Sequence, residues 1–150
     1  IQKWQRLRTQ PPKVALKYPW EWDYKLSRYN SIFMSKAQSD NKLVLRSNNK
    51  SEIVQIIRTP NTGNLTREQV IQMTVQINRA INLQQNPLTE ITIGEKIFKT
   101  TEHFFMEQMK QQHFWYADAG EIIYISVGLL REDQVRYPLI IKEILESIKW

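Results

Sequence analysis

His103 and His113 are the only imidazoles of the chain, ten residues apart. Zinc or iron sites usually need three or four ligands at set spacing. With Glu102 and Glu107 beside them, two histidines make at best a weak surface site, so they read as strand residues of an aromatic-rich segment. A turn at Lys110 would bring them across from one another, and such a pair would respond to pH. The remaining carboxylates are equally ordinary in their settings. Asp118 and Glu121 frame a hairpin loop, where acidic residues form turns. Glu132 and Asp133 precede a helix, whose amide end favours negative charge. No cysteine is present, so thiolate ligands, disulfides and cysteine nucleophiles are excluded. Four glycines leave no material for a phosphate loop. No serine sits in a Gly-x-Ser-x-Gly elbow, and no loop has calcium-ligand spacing. The expectation is a protein with no catalytic set, no cofactor and no metal, which is not an enzyme.

Charge and aromatics carry more information. Lys and Arg number 21 against 15 Asp and Glu, a formal charge of +6. The excess is concentrated in the first 60 residues, and the remainder is slightly acidic. The first 17 residues contain Lys3, Arg6, Arg8, Lys13 and Lys17 and no acidic side chain. Basic and aromatic residues then interleave at Lys17-Tyr18, Tyr24-Lys25 and Arg28-Tyr29. A basic face with aromatic anchors suits an acidic protein, an anionic membrane or nucleic acid. The candidate protein-binding residues are Trp4, Arg6, Arg8, Lys13, Lys17, Trp20, Lys25 and Arg28. No ribonucleoprotein-type motif or glycine-rich clamp appears, so a basic nucleic-acid-binding domain is the alternative reading.

The elements that must position these residues follow from periodicity. The 150 residues suit one domain. No run approaches the ~20 apolar residues of a membrane-spanning helix. Residues 1–13 read as a mobile basic arm closed by Pro11-Pro12, removable without loss of the fold, and residues 14–150 as the folded domain. Alternation predicts strands at Val14–Tyr18, Trp22–Leu26, Ser31–Lys36, Lys42–Arg46 and Ser51–Thr59. Thr66 and Gln69 form a capping box, with Leu65 and Val70 at the staple positions. The helix behind it is expected from Arg67 to about Gln84, burying Val70, Met73, Ile77 and Ile81. Strands follow at Leu88–Ile93, Lys96–Met106, Gln111–Ala117 and Glu121–Leu130, with Gly120 in a left-handed turn position. A last helix starts near Tyr137-Pro138. Trp22, Ile56, Ile77, Phe105, Trp115, Tyr124 and Ile144 are the expected core. Hairpin-length links make the sheet mainly antiparallel, so the class is α+β and not a doubly wound parallel sheet.

Several of these places resemble the PsbP-like superfamily. They are Tyr18-Pro19 followed by Trp22; Thr66 to Gln84; Ile93-Gly94-Glu95-Lys96; Phe114-Trp115-Tyr116 to Tyr124; and the ending Glu146-Ser147-Ile148-Lys149-Trp150. The likeness spans residues 14–150 and rests on packing and turn residues. Glu21 stands before Trp22 where many members carry glycine. The resemblance implies an α-β-α sandwich, a central mainly antiparallel sheet flanked by helices. It also implies a non-enzymatic accessory or assembly factor that docks onto a larger, membrane-associated protein complex, photosystem II among the possibilities. Relatives of this kind are lumenal, periplasmic or lipid-anchored. Ile1 is not methionine, so any leader or lipid-bearing cysteine is expected upstream. A small-ligand binder with a steroid-isomerase-like cone is the third reading; that fold usually opens with a helix, and this chain opens with strands.

Overall fold

The computed structural model describes residues 1–30, 39–49, 51–105, 107–130 and 137–150. The strand expected at Ser31–Lys36, Met106 and the Glu132-Asp133 pair lie outside the described residues. Nine strands and two helices are described: β1 (Trp4–Thr9), β2 (Val14–Pro19), β3 (Asp23–Ser27), β4 (Lys42–Arg46), β5 (Glu52–Pro60), α1 (Arg67–Ile77), β6 (Thr89–Ile93), β7 (Lys96–Phe105), β8 (Met109–Ala117), β9 (Glu121–Leu130) and α2 (Tyr137–Glu146). Seven strands form one sheet in the order β3-β4-β5-β9-β8-β7-β6, and β1 and β2 form a separate hairpin. All pairings are antiparallel. The fold is α+β.

The stretch read as a mobile arm is therefore partly structure. Residues 4–9 pair along β2 from Trp4–Pro19 to Thr9–Val14. Alternation explains the change: Leu7 and Thr9 turn inward with Leu16 and Val14, while Arg6 and Arg8 turn outward. A polar, basic strand can thus be half of an amphipathic hairpin.

Side-chain alternation divides the core between the two faces of the large sheet. Phe114, Ile123, Ile125, Val127 and Leu129 join β2, β4, β5 and the α2 residues Ile140, Ile141, Ile144 and Leu145 in the main cluster. Trp115 and Ile122, one residue out of phase, join Val70, Ile71 and Ile81 in a smaller one. The α2 side is thus shared by a helix and the β1–β2 hairpin, and α1 packs on the other side.

The capping box at α1 is present in both directions. Gln69 N–H donates to Thr66 Oγ1, and Thr66 N–H donates to Gln69 Oε1. The helix ends at Ile77, earlier than expected. Asn78 Oδ1 accepts from Ala80 N–H, and Asn82 Oδ1 from Gln84 and Gln85 N–H. These local bonds compete with helical continuation. The buried face is Val70, Ile71 and Thr74. Ile77 is 65% exposed and Phe105 is 43% exposed, so these two do not belong to the core as expected; Tyr124 is half-buried and packs against the smaller cluster. Trp22, Ile56, Trp115 and Ile144 are buried.

Two turns deserve their residues. Gly120 is not left-handed; the Asp118 carboxylate organises that loop by accepting from Gly120 and Glu121 N–H. Gly94 is, at φ +58°, followed by Glu95 at φ +70°. Two positive φ angles make the inverted turn that matches strand twist in a two-residue hairpin. A Cβ on Gly94 would lie 2.6 Å from the Trp150 indole nitrogen.

Candidate functional site

The hairpin presents a cationic outer face. In the β1–β2 register Arg6 lies opposite Lys17 and Arg8 opposite Ala15. Lys149 joins them from the chain's other end, through mutual backbone hydrogen bonds with Ala15 of 2.8 and 2.9 Å. Ser147 Oγ accepts from Lys17 N–H at 2.9 Å, which fastens the end of α2 to the same strand. Arg6, Arg8, Lys17 and Lys149 line a groove of about 330 Å³. Trp4, at the start of β1, is partly packed on the core, with Lys17 Nζ 4.8 Å from its ring centroid. Lys17 pairs with the half-exposed Glu143 at 3.7 Å. Among the described residues no ion pair neutralises Arg6, Arg8 or Lys149. Like charges directly opposed on paired strands are destabilising, so this face is electrostatically unfinished.

The other candidates fall elsewhere. Lys13 is exposed in the hairpin turn, and its carbonyl accepts from Arg58 Nη1 at 2.7 Å. Trp20 is 65% exposed just past β2. Lys25 lies on edge strand β3, and Arg28 follows that strand, 4.0 Å from Asp40. Lys25 belongs with Lys42 and Arg46 of β4, a second basic patch. Burial, then Arg46 and Lys25, push the Lys42 ammonium below its usual pKa. Lys42 also lies 5.0 Å from the Tyr29 ring centroid. Lys149, Lys42 and Arg46 were not among the sequence candidates. The alternation of β4 was a signal for the last two; nothing local signals Lys149.

The structure brings the histidines together. Adjacent antiparallel β7 and β8 set His113 opposite Thr101 and His103 opposite Gln111. The link is at Glu107-Gln108, and Lys110 is already within β8. The two Nε2 atoms are 2.9 Å apart, and His113 Nδ1 is 2.6 Å from the Tyr124 hydroxyl. The imidazoles are parallel within 3°, and His113 also stacks with Trp115 and Tyr124. Both are buried. Burial, then the charge of His103, pushes His113 down to about 4, and burial lowers His103. Burial pushes the Tyr124 phenol up. A neutral pair holds one proton between the two Nε2 atoms; a second would set two N–H groups face to face. Among the described residues no three His, Asp or Glu side chains gather as a metal site. Glu102 instead pairs with Lys110 at 3.0 Å.

No family model matches the chain, and no curated protein matches its sequence. Solved structures do match its shape. Cyanobacterial PsbP from Synechocystis sp. PCC 6803, a solution structure, gives a TM-score of 0.63 at 13% identity, covering 99% of this chain and 92% of that one. LpqN, described as involved in cell envelope biogenesis of Mycobacterium tuberculosis, gives 0.55 at 11% identity, covering 98% and 90%. A Bacteroides thetaiotaomicron protein gives 0.53 at 8% identity; the match covers 97% of this chain and 47% of that one. Among the described residues no helix is long and apolar enough to cross a membrane. The antiparallel sheet, the two helices and near-complete coverage in both directions together give this chain the fold of cyanobacterial PsbP.

Proposed function

We propose that this domain is a non-enzymatic accessory factor that docks onto a larger protein complex at a membrane surface, using the outer face of the β1–β2 hairpin. The observation that carries the reading is the Arg6–Lys17 opposition, extended by Arg8 and Lys149. Such a row is relieved by an acidic partner, which steers the encounter and fixes its register. Trp4 beside the row supplies apolar contact that slows release. The two histidines spend ring nitrogens on each other and on Tyr124, which suits a structural role better than a catalytic one. The likeness to cyanobacterial PsbP and to LpqN supports an exported, accessory role.

Deleting residues 1–13 is a poor test, because it removes β1 from the folded domain. Arg6→Glu with Arg8→Glu leaves the inward residues untouched. This variant should lose at least about tenfold in co-sedimentation with membranes of the source organism, a loss of about 1.4 kcal/mol. Its stability should stay within about 0.5 kcal/mol of wild type. Undiminished binding would move the docking face elsewhere. Binding of the wild type abolished by nuclease, or competed by duplex DNA, would instead establish the nucleic-acid alternative.

A further inference from the structure

Among the described residues the main core is open on one side. Between α2, β6 and the β8–β9 surface lies a cavity of about 460 Å³, distinct from the hairpin groove. Phe114, Val127 and Leu129 form its floor and are all buried. Ile141 and Leu145 of α2 stand on one side and Ile91 of β6 on the other. Protein interiors leave few voids larger than a water molecule, whereas small-molecule sites span roughly 300–1,000 Å³ with apolar walls and a few polar groups.

The polar side chains of the lining are Thr92, Lys110, Gln112, Lys142 and Glu146. Lys110 of β8 and Lys142 of α2 border the cavity from different elements, with Glu146 as the acidic lining residue. Each lysine has one carboxylate partner, and only Glu146 of the two carboxylates lines the cavity itself. Lys110 holds Glu102 at 3.0 Å and Lys142 holds Glu146 at 3.8 Å, and both carboxylates are more than half exposed. Exposed pairs of this kind contribute little, so an arriving carboxylate displaces them at little cost.

We propose that this cavity binds a single-chain carboxylate amphiphile. The hydrocarbon tail lies between α2 and the sheet, and the carboxylate sits at the mouth between Lys110 and Lys142. One chain fits the slot, and burying it removes apolar surface of both partners from water. This inference does not depend on the hairpin's role.

The test is calorimetric titration of the whole chain with sodium dodecanoate below its micellar concentration, with dodecanol as the neutral comparison. Wild type should bind one dodecanoate saturably and bind dodecanol at least about tenfold more weakly. Ile91→Trp, on a wall residue that is 39% exposed, should fill the slot and abolish binding while the circular dichroism spectrum and unliganded melt stay unchanged. Lys110→Gln with Lys142→Gln should erase the preference for dodecanoate over dodecanol. Lack of saturable dodecanoate binding by wild type would overturn the site. Binding undiminished by Ile91→Trp would place it elsewhere and overturn the assignment equally. Equal affinity for the two compounds in wild type would overturn the carboxylate head. Should Ile91→Trp lose its fold, methyl shifts of Val127 and Leu129 on dodecanoate addition decide the question in the wild type. Their absence at saturation would overturn the proposal.

Discussion

The two faces of the large sheet are built by one set of strands and held by different forces. On the α2 face four consecutive inward β9 residues, Ile123, Ile125, Val127 and Leu129, meet Ile140, Ile141, Ile144 and Leu145. Stability there comes from apolar area removed from water. On the α1 face the apolar cluster is small, and polar groups are buried beside it. Trp115 Nε1 donates to Thr74 Oγ1 at 3.1 Å, and Thr101 Oγ1 donates to the Asn86 carbonyl. His103, His113 and Tyr124 form a chain of contacts. Buried polar groups are tolerable only while each keeps its partners. The α2 face should therefore be sensitive to lost volume and the α1 face to added protons.

The largest expected effect lies on the α2 face. Ile144 is wholly buried, and Ile144→Ala should cost about 2–5 kcal/mol through lost transfer energy and a cavity. A urea melt within about 0.5 kcal/mol of wild type would erase the contrast between the faces.

Acid should act on the α1 face. The folded histidines are depressed below 6.5, His113 to about 4, so below 6.5 the unfolded chain binds more protons. Stability is then full above pH ~6.5 and declines as pH falls towards about 4, by up to about 3 kcal/mol. Tyr124, the neighbouring titratable group on β9, stays protonated across this window. His103→Gln with His113→Gln should flatten the slope of stability between pH 6.5 and 5. An unchanged slope would assign the acid response to carboxylates.

Gly94 sharpens the comparison on the α2 side. Gly94→Ala would combine a positive φ with a 2.6 Å approach to Trp150, at about 1–3 kcal/mol. Trp150 packs on Phe98 at 5.9 Å and donates from Nε1 to the Ile93 carbonyl. Its displacement should be visible as altered tryptophan fluorescence in the native state. A variant as stable as wild type would show that the indole moves freely.

The smallest effect is expected at Ile77. Periodicity made it as much a core residue as Ile144, yet it is 65% exposed at the end of α1. Ile77→Ala should change stability by less than about 0.5 kcal/mol. A loss above 2 kcal/mol would mean that Ile77 is covered in solution.

Local physics accounts for what was readable in the chain. The bounds of β4 and β9 and the Thr66–Gln69 box follow from period-two alternation and a reciprocal cap. Each involves residues within a few positions of one another. The left-handed glycine, by contrast, was expected at Gly120 and stands at Gly94. The docking candidates were readable as types but not as a surface. Trp4, Arg6, Arg8 and Lys17 share one hairpin, whereas Lys25 and Arg28 lie at another sheet's edge.

Pairing across long separations decided the rest. Whether residues 4–9 are arm or strand depends on β2 and on the core under Leu7 and Thr9. That Lys149 completes the cationic row depends on its hydrogen bonds to Ala15. That His103 and His113 face each other depends on where the β7–β8 link falls; one residue of slip would turn one of them to the opposite face. Composition set the charge, the missing thiols and the class of the fold, because these are sums or short-range patterns. Which cations stand unneutralised, and which imidazoles share a proton, are properties of distances between strands, and only the folded sheet supplies those.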